Sequence, residues 1–264
     1  MPSQIWERDP QEAFENPYEY EIQDQFVREA RSLFPQLYRL LNSDHHRYSL
    51  EDRSRQKAVW LLAMDALDSL RDCLKALTRK EHRVAGKLFR DVVENMDLAE
   101  YFHSGNDTSA ALVKWYADEI VGHSCYRDYV KRTRSEQEAK RLAKHYSSLS
   151  RFTHRSYRAI LEGYSRGGGN RLVHDGICEM YGNSENSTTS LVLPQTIASY
   201  YAVLANLVRE YSTELSELGL VTRDEVRDAF SKSLEEGAIP RRFLPRRRLA
   251  EGLRDSKADE QDKE

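Results

Sequence analysis

The stretch Tyr146-Ser-Ser-Leu149-Ser150-Arg-Phe-Thr-His154 combines hydroxyls and an imidazole inside a helical pattern. Ser147, Ser150 and His154 recur at i, i+3 and i+7, a spacing that stacks side chains along one side of a helix. A serine beside a histidine can supply a general base or a ligand contact. The plainer reading is a histidine that bonds a neighbouring helix and pins a bundle, because buried polar groups must find partners. No Gly-x-Ser-x-Gly elbow occurs in the chain, so a hydrolase of that type is not supported.

A second group, Arg90, Glu94, Asp97 and Tyr101, shares one helix face opposite Val92 and Met96. Arg90 and Glu94 can pair at i, i+4. The face is either an ordinary solvated surface or the second buried side of a helix, meeting Ser150 or His154. A third group has metal-ligand character. Glu100-Tyr-Phe-His103 has the Glu-x-x-His spacing of carboxylate-bridged bundles, and Glu119 with His123 forms an i, i+4 pair farther on. A full two-metal set needs a second Glu-x-x-His, which the sequence lacks. His103, near a helix end, then reads as a histidine capping a carbonyl. Gly167-Gly168-Gly169 is not followed by Gly-Lys-Ser or Gly-Lys-Thr, and it reads as a hinge or helix end. No cofactor signature is present, and no cofactor is expected.

These groups must be carried by helices. Gln36 to Leu193 contains no proline, which favours helices over many strands and turns. Apolar stripes at helical spacing mark helices over about 22–41, 49–74, 83–103, 108–132 and 135–164, then from Pro194 to about Leu218 and after Thr222. Phe26, Ala30, Leu33, Leu37 and Leu41 form the first stripe. Ser49 reads as the cap of the second helix, with Glu51 and Asp52 in its first turn. The fourth runs through Leu112, Trp115, Tyr116, Ile120 and Tyr126. Ser135-Glu-Gln-Glu138 and Thr222-Arg-Asp-Glu225 are capping boxes. Residues 165–193 are rich in Gly, Asn, Ser and Thr and read as a long loop.

The expected fold is all-α, with six to seven helices around a central four-helix bundle. An extended arm (1–22) precedes one domain (23–236), and an Arg-rich segment with a disordered charged tail (237–264) follows. The net charge of −3 gives no global attraction to nucleic acid or membrane. No apolar run approaches the roughly 20 residues that cross a bilayer. MPSQIWERDP lacks the order of a secretory signal, and Cys73, Cys125 and Cys178 form no disulfide or zinc framework. A cytoplasmic setting follows as an expectation. Pro240-Arg-Arg-Phe-Leu-Pro-Arg-Arg-Arg248 has the composition to contact phosphate, but the acidic residues after it offset its charge. A protein partner or a homo-oligomer is therefore preferred over nucleic acid.

The motifs Arg90-Asp-Val-Val-Glu94 and Tyr146-to-His154 together resemble those of a widespread bacterial family of helical-bundle proteins with no assigned activity. That likeness covers roughly residues 55–165 and implies a polar cluster of Arg90, Glu94, Ser150 and His154. A looser likeness is to the higher-eukaryote-and-prokaryote nucleotide-binding bundles, many of them RNases of bacterial conflict systems. Their hallmark is Arg, four to six residues, then His. Arg141-Leu-Ala-Lys-His145 has three intervening residues, Arg151 and His154 have two, and Arg39 and His45 have five but fall at a helix end. The expectation from the residues is a non-catalytic binding or accessory module. The alternatives are a metal-independent RNase using Arg141 and His145, and a metal-dependent bundle enzyme using Glu100, His103, Glu119 and His123.

Overall fold

A computed structural model describes residues 20–79, 81–104, 109–153, 164–166, 172–174 and 192–237. Their helices are α1 (Tyr20–Leu41), α2 (Arg55–Thr78), α3 (His82–Ser104), α4 (Ser109–Tyr116), α5 (Ser124–Thr133), α6 (Glu136–Thr153), α7 (Val192–Glu217) and α8 (Arg223–Gly237). One antiparallel strand pair, β1 (Tyr164–Arg166) and β2 (Leu172–His174), sits between α6 and α7, with Ser165 opposite Val173. The architecture is all-α. Among the described residues, no helix is long and apolar enough to cross a membrane. The expected arm and most of the expected tail lie outside these residues.

The bundle centre follows from which helices are apolar on more than one side. Helix α2 buries Ala58, Leu62, Ala66, Leu67, Leu70, Leu74 and Leu77, too wide a set for one stripe, so it is surrounded. It packs along α3, while α1 and α7 also close against it. The expected α1 stripe of Phe26, Ala30, Leu33, Leu37 and Leu41 is wholly buried. The Tyr211 hydroxyl of α7 is buried in the centre and donates to the Ala63 carbonyl of α2 at 2.9 Å. That bond satisfies the phenol where water cannot reach it.

Local signals fix several boundaries. The Thr222 and Glu225 capping box closes in both directions, with Thr222 N–H donating to Glu225 at 2.8 Å and Glu225 N–H donating to the Thr222 hydroxyl at 3.2 Å. Gly219 ends α7 with a φ of +70°, conformational space that glycine enters without strain. Gly219 N–H then bonds Ser216 O, and Leu220 N–H bonds Leu215 O, the two bonds of a Schellman end.

Three boundaries differ from expectation. Helix α2 starts at Arg55 with Ser54 as its cap, not at Ser49. Residues 49–54 fold into a loop because the Lys57 ammonium donates to the carbonyls of Ser49, Leu50 and Asp52 at 2.7, 2.8 and 2.9 Å. Asp52 accepts from Ser54 N–H at 2.7 Å, so it serves the loop rather than a helix dipole. The expected helix over 108–132 is broken into α4 and α5. Asp118 takes a φ of 63°, which an aspartate tolerates but a helix interior does not, and Ile120 is left exposed. Tyr164 lies in β1 rather than at the end of a helix, so the expected loop of 165–193 holds the rest of β1, all of β2 and the start of α7. Gly167-Gly168-Gly169 lies outside the described residues.

Helix α8 closes the bundle by packing along α1. A Cβ at Gly237 would meet the Glu29 backbone N at 2.7 Å and Cα at 2.8 Å. Backbone cannot move aside as a side-chain tip can. Gly237→Ala is therefore expected to destabilise the protein by about 1–3 kcal/mol. Chemical denaturation should show a lower midpoint, and an unchanged midpoint would contradict this packing.

Candidate functional site

Helix α3 has two working faces. Phe89, Val92, Met96 and Ala99 are buried in the core. Arg90, Glu94, Asp97 and Glu100 point toward α5 and α6, and each meets a side chain from one of them or from the turn before α5. Arg90 donates to Glu94 at 2.9 Å and to the Tyr146 hydroxyl, which in turn donates to Glu94. The Arg90 guanidinium also lies 4.9 Å from the Tyr146 ring centre. Burial pushes the Tyr146 pKa up, and the bond and charge of Glu94 add to that push, while Arg90 opposes it.

One turn along α3, Asp97 accepts from His123 at 2.5 Å. The His123 ring stacks on Tyr146 with centroids 4.3 Å apart and an interplanar angle of 12°. Burial raises the Asp97 pKa, while the bond and charge of His123 oppose that rise. The other His123 nitrogen, Nδ1, is buried with no hydrogen-bond partner among the described residues. The imidazole accordingly sits best with its proton on Nε2, shared with Asp97. Farther on, Glu100 accepts from the Tyr126 hydroxyl and pairs with Arg134.

This seam is architectural. Its acids and bases already bond one another, and they hold α6 and the α5 approach against α3. Beside it opens a cleft of about 590 Å³ between α3, α5, α6 and α7. Helix α3 contributes Asp97, Glu100 and His103 to the cleft, α6 contributes Glu138, Arg141 and His145, and α7 contributes Glu210, Glu214 and Glu217. Val92, Met96 and Leu207, almost wholly buried, lie beneath these charges, and the half-buried Leu142 stands beside them. Burial pushes the Glu214 carboxyl up to about 8, and Asp97, Glu100, Glu210 and Glu217 push in the same direction. Glu100 is offset by Arg134, and Glu138 has Arg141 at 4.0 Å. Among the described residues, Glu210, Glu214 and Glu217 hold no ion pair.

The sequence motifs are distributed across these two features. Arg90 and Glu94 meet, with Tyr146 as their shared partner. Ser150 lies in α6 one turn beyond Tyr146, and His154 lies outside the described residues. Arg141 and His145 are exposed along the cleft. Of the metal candidates, Glu100 is engaged by Tyr126 and Arg134, and His123 by Asp97. Glu119 and His123 are not on a helix face as expected; they occupy the turn between α4 and α5, where Glu119 is exposed. His103 is exposed at the end of α3 and lines the cleft, not buried on the apolar face. Among the described residues, no group of three or more His, Cys, Asp or Glu is placed to hold a metal ion.

Sequence reasoning placed Asp97 on the polar face of α3 but did not pair it with His123. Nothing in the spacing of residues 97 and 123 marks that contact. The Glu210, Glu214 and Glu217 row has i, i+4, i+7 spacing, which marks a shared helix face but not what that face meets. No family model, curated protein or solved structure matches the chain.

Two outcomes follow for these groups. Tyr146→Phe removes both hydroxyl bonds and should cost about 1–2 kcal/mol. In a double-mutant cycle with Glu94→Gln, the coupling should reach about 0.5 kcal/mol or more; strict additivity would show that the bonds carry no energy. The folded-state pKa of Glu214 lies above its unfolded value of 4.5, at about 8. The native state then binds more protons than the unfolded state between those values, so this group lowers stability as pH rises through them. Glu214→Gln should raise the melting temperature at pH 9 and leave it nearly unchanged at pH 4. Equal shifts at both would argue against a raised Glu214.

Proposed function

We propose that this protein is a non-catalytic binding module whose ligand or protein partner sits in the cleft between α3, α5, α6 and α7. The observation that carries this reading is the contrast between seam and cleft. The seam's histidine, tyrosine and carboxylates are already bonded to one another. The cleft instead carries Glu210, Glu214 and Glu217 along α7, which hold no ion pair among the described residues, in a volume within the usual range of ligand sites. A charged group entering from a ligand gains the most where the protein offers no counter-charge of its own. The reading places the protein in a bacterial cytoplasm, with a protein partner or a second copy as the natural ligand source.

A metal-independent RNase is the second reading, and one observation favours it. Arg141 and His145 lie one turn apart on α6 and both line the cleft, so a phosphate contact and an acid–base group would share one site. The acidic α7 wall weighs against it by repelling phosphate.

Labelled protein can be titrated with arginine amide, spermidine, AMP and a short RNA while the methyl resonances of Val92, Leu142 and Leu207 are followed. At least one probe should shift them saturably. Silence from all four would overturn the binding reading. RNA hydrolysis that disappears in Arg141→Ala and His145→Ala, with the fold intact, would replace it with the RNase reading.

A further inference from the structure

The charges of this chain are unevenly placed. Residues 124–153, which fold into α5 and α6, carry eight Lys or Arg against three Asp or Glu. The whole chain has a net charge of −3, so the rest of it is acidic in balance. The two helices form a hairpin: α5 ends at Thr133, α6 begins at Glu136, and they pack on each other. Tyr126, Tyr129 and Val130 of α5 are buried, and Leu142 and Tyr146 of α6 are half-buried. Arg127 and Lys131 fall at i, i+4, as do Lys140 and Lys144, and helical spacing turns each pair away from those covered residues. Lys131, Arg132, Lys140 and Lys144 are exposed, and Arg127 is half-buried. None of the five lines the cleft, so they present a separate surface.

The make-up of that surface narrows its partner. Lys140 pairs with Glu136 at 3.3 Å, but the two side chains are 76% and 62% exposed, so the pair is worth little and yields to a stronger anion. The exposed large hydrophobic side chains among the described residues are Leu50, Val84, Val113 and Ile120, and none belongs to α5 or α6. A protein interface draws its energy from buried aromatic or apolar anchors. A helix that lies in a bilayer surface needs an apolar face to insert. The hairpin surface offers neither. A phosphate backbone requires neither, because its affinity for Lys and Arg comes from the release of condensed counterions.

We propose that the outer face of the α5–α6 hairpin, with Arg127, Lys131, Arg132, Lys140 and Lys144, docks the phosphate backbone of a nucleic acid. Contacts to phosphate position a strand and carry no base readout, so single strands and duplexes of any sequence are bound. The acidic balance of the rest of the chain turns the hairpin toward such a polyanion as it approaches. Binding is weak, in the roughly micromolar range of non-specific attachment, and it falls steeply with salt.

The test follows the fluorescence anisotropy of a labelled mixed-sequence single strand, and of its duplex, with full-length chains from about 50 to 200 mM salt. One variant replaces Arg127, Lys131, Lys140 and Lys144 with glutamine. A second replaces Arg28, Arg47, Arg223 and Arg227, which are exposed on other parts of the chain, and so removes the same charge. Circular dichroism checks the fold of both. The unaltered chain should bind the strand and the duplex. The hairpin variant should bind the single strand at least about tenfold more weakly, with a slope of log affinity against log salt shallower by about 3, while the second variant stays within about twofold of the unaltered chain. No binding by the unaltered chain at low salt, equal losses in the two variants, or binding that survives the hairpin changes overturns the proposal. Tighter binding to vesicles of anionic lipid than to either nucleic acid, lost in the hairpin variant, would assign the surface to a membrane and also overturn it. Neither variant alters a residue that lines the cleft, so this inference and the cleft reading stand or fall separately.

Discussion

The outer half of this molecule depends on the desolvation of one helix face. Helix α3 gives its apolar side to the core, and its polar side is then covered by α6 and by the turn before α5. Asp97 loses most of its water there, and a buried carboxylate is costly unless something replaces that hydration. His123 does so by hydrogen bonding, and the stacking of His123 on Tyr146 ties the same histidine to α6. Tyr146 reaches Glu94 and Arg90, one and two turns back from Asp97. Neighbouring bonds thus share partners, and removing one member leaves another polar group buried without its bond. The seam sets where α6 lies, and the position of α6 forms one wall of the cleft.

The cleft is governed by the opposite condition. Its α7 wall concentrates negative charge at a helix end that already repels it. Burial first, and these neighbouring charges after it, raise the proton affinity of Glu214 and lower the stability of the native state where the group is ionised. A bound cation would oppose the charge part of both effects. The two polar regions on either side of Asp97 therefore differ in kind: one is internally compensated and holds helices together, and the other leaves charge for something else to neutralise.

Much of the helical framework was legible from residue patterns. The α1 stripe, the capping box before α8 and the glycine stop after α7 rest on interactions between residues a few positions apart, and those act the same way in any fold. The helix over 108–132 and the α2 start failed for a different reason. Lys57 draws three carbonyls into a loop, and Tyr116 reaches the Ser54 carbonyl from another element at 2.8 Å. Ties of that kind override local propensity.

The candidate site divides along the same line. The sequence by itself determined that Arg90 and Glu94 would pair, because one turn of helix separates them, and that Arg141 and His145 would share a face. It also determined the i, i+4, i+7 row of glutamates on α7. Only the tertiary structure decided that Tyr146 would be the shared partner of Arg90 and Glu94, that His123 would serve Asp97, and that the glutamate row would face a cleft rather than open solvent. Helical periodicity fixes which residues share a face. Which faces meet depends on how all the helices pack to bury their apolar surface at once, and no short stretch of sequence contains that information.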